Sequence, residues 1–177
     1  MVVPFRVLAI DPGNTQSAFA VVDTHTRRPI AFSKTMNEAL LEAIQNGDFN
    51  YDAVYIEMVA SYGMPVGAEV FDTCVWIGRY LQTAIDQGSD VHLVPRLQVK
   101  LHHCHDSKAK DANISRALVD RFAYGQPNHG KGTKAAPGWF YGFAADVWQA
   151  YALAVLAADR LAGNLLTPHL DDAPAPY

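Results

Sequence analysis

The sequence predicts an α/β fold: a mixed five-stranded sheet flanked by helices, in the order βββαβαβα with an extra helix. Three observations carry this expectation. Apolar runs of strand length, separated by turn residues, open the chain; farther along, such runs alternate with apolar residues at helical spacing; and the last third ends in a long apolar helical pattern. The first run, R-V-L-A-I-D from Arg6 to Asp11, is stopped by Pro12-Gly13-Asn14 and reads as a buried strand ending in a turn. Ser17 to Asp23 and Ile30 to Lys34 read as the next two strands, and the intervening T-H-T-R-R-P suggests a hairpin, so the three form an antiparallel meander. Asn37 precedes E-A-L-L-E-A-I as a helix cap, with Gly47 ending that helix. Ala53 to Glu57 (A-V-Y-I-E) is the fourth strand. Val70, Cys74, Ile77, Leu81 and Ile85 recur at helical spacing up to Gly88, and Val91 to Val94 is a fifth strand ended by Pro95. Ile114, Leu118 and Phe122 mark a helix starting near Asp111; Val147, Ala150, Tyr151, Ala154, Ala158 and Leu161 mark the final one. Between them Y-G-Q-P-N-H-G-K-G-T-K-A-A-P-G reads as a mobile or ligand-ordered loop.

With 177 residues, 50% hydrophobic and 18% charged, the chain fits one compact domain with a sizeable core, which excludes long disordered and collagen-like classes. That domain is expected over 1–163, followed by a disordered tail over 164–177. The apolar run from Ala150 stops at Asp159, far short of the roughly 18 residues a membrane-spanning helix needs. M-V-V-P-F-R lacks the basic head, apolar stretch and cleavage site of a secretory signal, so neither secretion nor a membrane partner is expected. Cys74 and Cys104 are too few for a disulfide framework and suit a reducing cytoplasm. The net charge of −4 is unevenly spread. Arg96, Lys100, Lys108, Lys110, Arg116, Arg121, Lys131 and Lys134 stand against Asp106, Asp111 and Asp120, a segment of net +5 that leaves −9 for the remainder. Such a segment is either a footprint for phosphates beside a group of carboxylates or a solvated basic face.

Three acids occupy positions that call for chemistry. Asp11 ends an apolar strand, where a charge is costly to desolvate unless it is paired or bound to a cation, although an Asp before Pro-Gly is also an ordinary turn former. Glu57 ends another apolar strand, and if the two strands are neighbours their carboxylates emerge at the same end of the sheet. Asp146 lies in the first turn of the last helix, where helix-dipole stabilisation is the simpler explanation. Together, two strand-end carboxylates and a helical one make a hard-oxygen site for Mg²⁺. Two such ions about 3.5–4 Å apart can activate water and stabilise the leaving oxygen in phosphodiester hydrolysis, with Asp11 as the bridging ligand.

The motifs occur in a telling order. L-A-I-D-P-G-N-T-Q-S-A-F-A-V joins a strand, an Asp and a small-residue turn; V-Y-I-E ends a strand in Glu; F-D-T-C-V-W-I-G-R-Y is a helix carrying Gly78. P-R-L-Q-V-K leads to Lys100, A-K-D-A-N-I-S-R-A-L-V-D-R-F opens a basic helix, and A-D-V-W-Q-A-Y-A-L-A places an acid before small residues. Across most of the chain these resemble the RuvC-type Holliday junction resolvases of the ribonuclease H-like superfamily, more closely their phage-type relatives. The resemblance implies a ribonuclease H-like domain and a metal-dependent endonuclease of recombination and repair that cuts branched DNA. It also implies a homodimer making paired nicks, in a bacterial or phage-infected cytoplasm. It places Asp11, Glu57 and Asp146 on the metal, two Mg²⁺ per site with Mn²⁺ substituting, and Lys100 and Lys110 in chemistry at the scissile phosphate. Lys100, Lys108, Lys110, Arg116, Lys131 and Lys134 would bind nucleic acid. The chain departs from the family in one place: Gln149 stands where well-known members carry a second acid, and offers a neutral oxygen without charge. Asp111 is an outer acid or a helix cap.

Other readings remain open. D-P-G-N-T also resembles the phosphate loop of actin-like ATPases, though that architecture needs a second such domain, and a noncatalytic nucleic-acid scaffold would keep the fold without the reaction. His102-His103-Cys104-His105 invites zinc, but adjacent residues do not readily converge on one tetrahedral ion. Trp139, Phe140 and Tyr141 would either stack on unpaired bases or anchor the core.

Overall fold

The computed structural model describes residues 5–60, 63 and 65–166. Its elements run β1 (Arg6–Asp11), β2 (Gln16–Asp23), β3 (Pro29–Met36), α1 (Asn37–Gln45), β4 (Ala53–Met58), α2 (Ala68–Asp86), β5 (Asp90–Pro95), α3 (Arg96–Cys104), α4 (Asp111–Phe122), a single 3-10 turn (Asn128–Gly130) and α5 (Val147–Leu166). The sheet order is β3-β2-β1-β4-β5. The meander pairs antiparallel, whereas β4 lies parallel to both β1 and β5, as the helical crossovers require. This is the mixed five-stranded architecture expected from the sequence.

Strand periodicity sorts the core into two layers. Val7 and Ala9 of β1 face α5, while Leu8 and Ile10 face α1 and α2. The α5 layer is built from small residues on both sides: Ala9, Ala18, Ala20 and Ala53 on the sheet meet a helix in which residues 150–158 are all buried. Alanines let the helix axis approach the central strands closely, and α5 accordingly spans β1 and β2. On the other side Trp76, Ile77, Tyr80 and Ala84 form the buried face of α2. The spacing through Val70 and Ile85 pointed to a slightly rotated face, and Ile85 is half exposed.

Four local features differ from the expectations. Helix α3 is additional, because Leu97, Val99 and Leu101 alternate like a strand and only Val99 is buried. Asn37 is not a cap but the first residue of α1, buried, with its side chain turned back toward the β1 turn. The glycine-rich segment is tied at its base by backbone hydrogen bonds, although residues 124–129 and 133–137 are exposed. The Gly138 N–H donates to Lys131 O, that of Phe140 donates to Gly130 O, and Gly130 (φ +75°) is buried where a Cβ would come 2.3 Å from that of Ala123. Finally, α5 continues past Gly163 to Leu166, and the rest of the expected tail, 167–177, lies outside the described residues. Among the described residues no helix is long and apolar enough to cross a membrane.

Candidate active site

β1 and β4 are adjacent and parallel with Ile10 opposite Ile56, so Asp11 and Glu57 leave the sheet side by side at one end of its strands. The alternation that turns Ala9 and Tyr55 toward α5 turns both acids to the same face. Asp146 immediately precedes α5 and Asp111 opens α4, and the charges of both reach Asp11. Burial, then Glu57, then Asp146 and Asp111 push the Asp11 carboxyl up to about 8, with Arg96 opposing. Glu57 is also held above its ordinary value, by burial first and by Asp111, against Arg96 and Lys100.

Two cations that the sequence reading left without a role meet these acids. Arg96, the first residue of α3, donates from Nη1 to both oxygens of Glu57 at 2.9 and 3.1 Å, and from Nη2 to Asp111 Oδ1. Lys34 Nζ lies 2.5 Å from Asp146 Oδ2. Lys34 pairs across β2 with Ala18, which itself pairs with Asp11, so sheet register puts it on the acids' face. That register is a long-range fact, invisible in local spacing. Asp111 is therefore an ion-pair partner rather than a cap; the N-cap position belongs to Lys110, whose N–H donates to Asn113 Oδ1.

The turn after Asp11 is fixed by buried polar groups. Asn37 Nδ2 donates to Gly13 O at 2.9 Å, Ser17 Oγ donates to Asn37 Oδ1 at 2.6 Å, and the Tyr80 hydroxyl lies 3.1 Å from Ser17 Oγ. A Cβ at Gly13 would come within 2.4 Å of Gln16 O, so only glycine fits this turn.

The donors suit a hard divalent cation. They include carboxylates at the ends of adjacent strands, and one turn along from Asp146 the buried Gln149 has an Oε1 with no hydrogen-bond partner. As the side chains stand, no three His, Cys, Asp or Glu among the described residues converge to hold an ion; Glu57, Asp111 and Asp146 are instead met by Arg96 and Lys34. Beside Glu57 opens a cleft of about 640 Å³, lined by Arg96, Lys100 and Ser107 and by the apolar Met58, Val66, Val70 and Leu97.

The structure does not gather all the predicted cations. Lys100 stands at the cleft and is felt by Glu57. Lys108 and Lys110 flank the turn into α4, Arg116 is exposed along that helix, and Lys131 and Lys134 lie on the glycine-rich hairpin. The histidines do not form a zinc site: His102 pairs with Asp159 at 2.8 Å, the His103 ring lies 2.8 Å from Ala152 O, and His105 ends α3 in a left-handed conformation. Phe140 is fully buried and Trp139 stacks on Phe122, so both anchor the core, while Tyr141 is 43% exposed.

No family model and no curated protein matches the chain. Solved structures do. The chain is similar to Thermus thermophilus RuvC, with a TM-score of 0.63 at 20% identity over 90% of this chain and 97% of that one. It is likewise similar to T. thermophilus RuvC in complex with a Holliday junction substrate, with a TM-score of 0.65 at 18% identity over 90% and 96%. At this identity the likeness shows the fold, which is that of RuvC and is ribonuclease H-like.

Proposed function

We propose that the protein is a metal-dependent, structure-selective endodeoxyribonuclease that hydrolyses phosphodiesters in branched DNA such as Holliday junctions. The observation that carries this reading is the placement of Asp11: partly buried at the end of the central strand, within the field of Asp146 and Asp111, and beside Glu57, which borders a largely apolar cleft that also holds Arg96 and Lys100. The similar T. thermophilus protein was solved with a Holliday junction, which supports branched DNA as the substrate.

In this reading Asp11, Glu57 and Asp146 hold Mg²⁺ or Mn²⁺, two ions per site, with the Gln149 amide oxygen as a neutral contact. When bound, the ions supply positive charge that favours attack by water on phosphorus and stabilises the departing oxygen. Asp11 gives up its proton when a cation binds, because its own ionisation is unfavourable without one. Lys100, reaching the cleft from α3, offsets charge that builds on the phosphate, and Lys110 serves the same end from the start of α4. Lys108, Arg116, Lys131 and Lys134 contact the flanking backbone. A second copy supplies the second site for a two-fold symmetric junction. Phe71 and Val75, 62% and 61% exposed on one face of α2, support such a pairing.

The test is incubation of labelled four-way, forked and linear DNA with Mg²⁺ or Mn²⁺ and mapping of the cuts. Four-way junctions are expected to be nicked in preference to linear duplex, and EDTA to abolish the reaction. Asp11→Asn keeps the size and one oxygen but loses the charge, so cleavage falls by about 10³ or more while DNA binding persists. A folded Asp11→Asn protein that nicks at the wild-type rate overturns the reading.

A further inference from the structure

We propose that Arg96 is an internal counter-ion that competes with the metal for Glu57, and that its release couples metal loading to DNA binding. The inference rests on the metal-dependent reading above and deepens it. One guanidinium spans both Glu57 oxygens at 2.9 and 3.1 Å and also reaches Asp111, so it holds two of the four acids around the centre. An ion seated between Asp11 and Glu57 would face that guanidinium at close range, and like charges disfavour both staying. Metal at Glu57 therefore requires Arg96 to leave.

The structure gives Arg96 somewhere to go. Its side chain is 25% exposed and lines the cleft together with Lys100 and Ser107. A DNA phosphate in that cleft offers the bidentate partner the guanidinium surrenders, since carboxylate and phosphate present the same pair of oxygens to its fork. A phosphate that draws Arg96 away frees Glu57 for metal, and metal that displaces Arg96 frees it for phosphate. The two effects are one coupling free energy read from either side. Arg96 is on this account a positioning residue: it keeps the acids arranged and neutralised until substrate and metal arrive together.

The experiment measures Mn²⁺ binding to the full chain by electron paramagnetic resonance, in the cold to keep cleavage slow, with and without a four-way DNA junction. Arg96→Gln without DNA is expected to bind Mn²⁺ at least about fivefold tighter than wild type, the lower end of ordinary coupling. The junction should then tighten Mn²⁺ binding more in wild type than in the variant. A merely structural Arg96 gives the opposite result, unchanged or weaker Mn²⁺ binding in Arg96→Gln, and overturns the proposal while leaving the metal reading intact. If Arg96→Gln fails to fold by circular dichroism, Arg96→Met decides, because it keeps the aliphatic stem but loses the charge and must still bind Mn²⁺ tighter than wild type. Absence of Mn²⁺ binding by every protein, with or without DNA, overturns the metal reading and this inference with it.

Discussion

Asp11 has an ordinary carboxyl pKa of 3.8 and is pushed up to about 8 by burial and its acidic neighbours, so between those values the folded, metal-free protein keeps a proton that the unfolded chain has released. Its contribution to stability then falls as pH rises through that window, because the native state binds the extra proton. In EDTA the melting temperature of wild type is expected to decline from about pH 6.5 to about pH 8, since at lower pH the depressed pKa of His103 works in the opposite sense, and Asp11→Asn to show a shallower decline. Equal slopes in calorimetric scans of the two proteins would place the electrostatic load elsewhere. Mn²⁺ at pH 8 should restore much of the loss by binding only the native state. Asp11 and Glu57 were legible in the sequence, because an acid directly after an apolar run has few structural uses. Lys34 and Arg96 were not: the first reaches the centre through the register of two strand pairs, and the second stands at the start of a helix whose sequence alternates like a strand.

Between elements, Asp159 of α5 gathers more partners than any carboxylate of the candidate site. It accepts from Arg121 at 2.6 Å and Arg27 at 3.1 Å, and pairs with His102 at 2.8 Å, so it ties α4, the β2–β3 turn and α3 to one point on the central helix. Burial works against this carboxylate, but the hydrogen bonds from His102, Arg121 and Arg27 outweigh it and hold its pKa well below the usual range. Asp159→Asn leaves two arginines facing a neutral amide, with an expected loss of about 3 kcal/mol, as for breaking a partly buried ion pair. For a domain of this size that lowers the melting temperature by roughly 10 °C. A calorimetric change of less than a few degrees would show that the tie is dispensable. Nothing in local spacing identifies such a hub. The sequence shows an apolar helix interrupted by one acid, and only the packing of three other elements around it supplies the reason. The glycine-rich hairpin was hidden in a similar way: its glycines read as freedom of the chain, whereas Gly130 sits against Ala123 and Phe140 because no larger residue fits.

For the whole molecule, the order of strands and crossover helices was readable, α3 excepted, because each crossover announces its own geometry: hairpin turns for the antiparallel half, helices for the parallel half. A surface for the proposed pairing was not readable, since α2 is apolar on more than the face it buries. Trp76, Ile77, Tyr80 and Ala84 pack on the sheet, while Phe71 and Val75 one turn apart remain 62% and 61% exposed. Gly78, at the next step along that stripe, has nothing within 4 Å of the place a Cβ would occupy. Side chains of this size left in water favour burial by about 1.5–3 kcal/mol each, and a second copy using the same stripe doubles the gain through its symmetry. In the proposed dimer two centres act on one junction, so nicks appear in pairs. Phe71→Glu combined with Val75→Glu places like charges across a two-fold axis. The variant is expected to sediment as a monomer at micromolar concentration and to melt within about 2 °C of wild type, since neither side chain belongs to the core. Its nicks in a four-way junction should lose their pairing, accumulating singly cut strands, while each active site keeps its chemistry. A wild-type protein that sediments as a monomer while still cutting both strands in concert would remove α2 as the pairing surface.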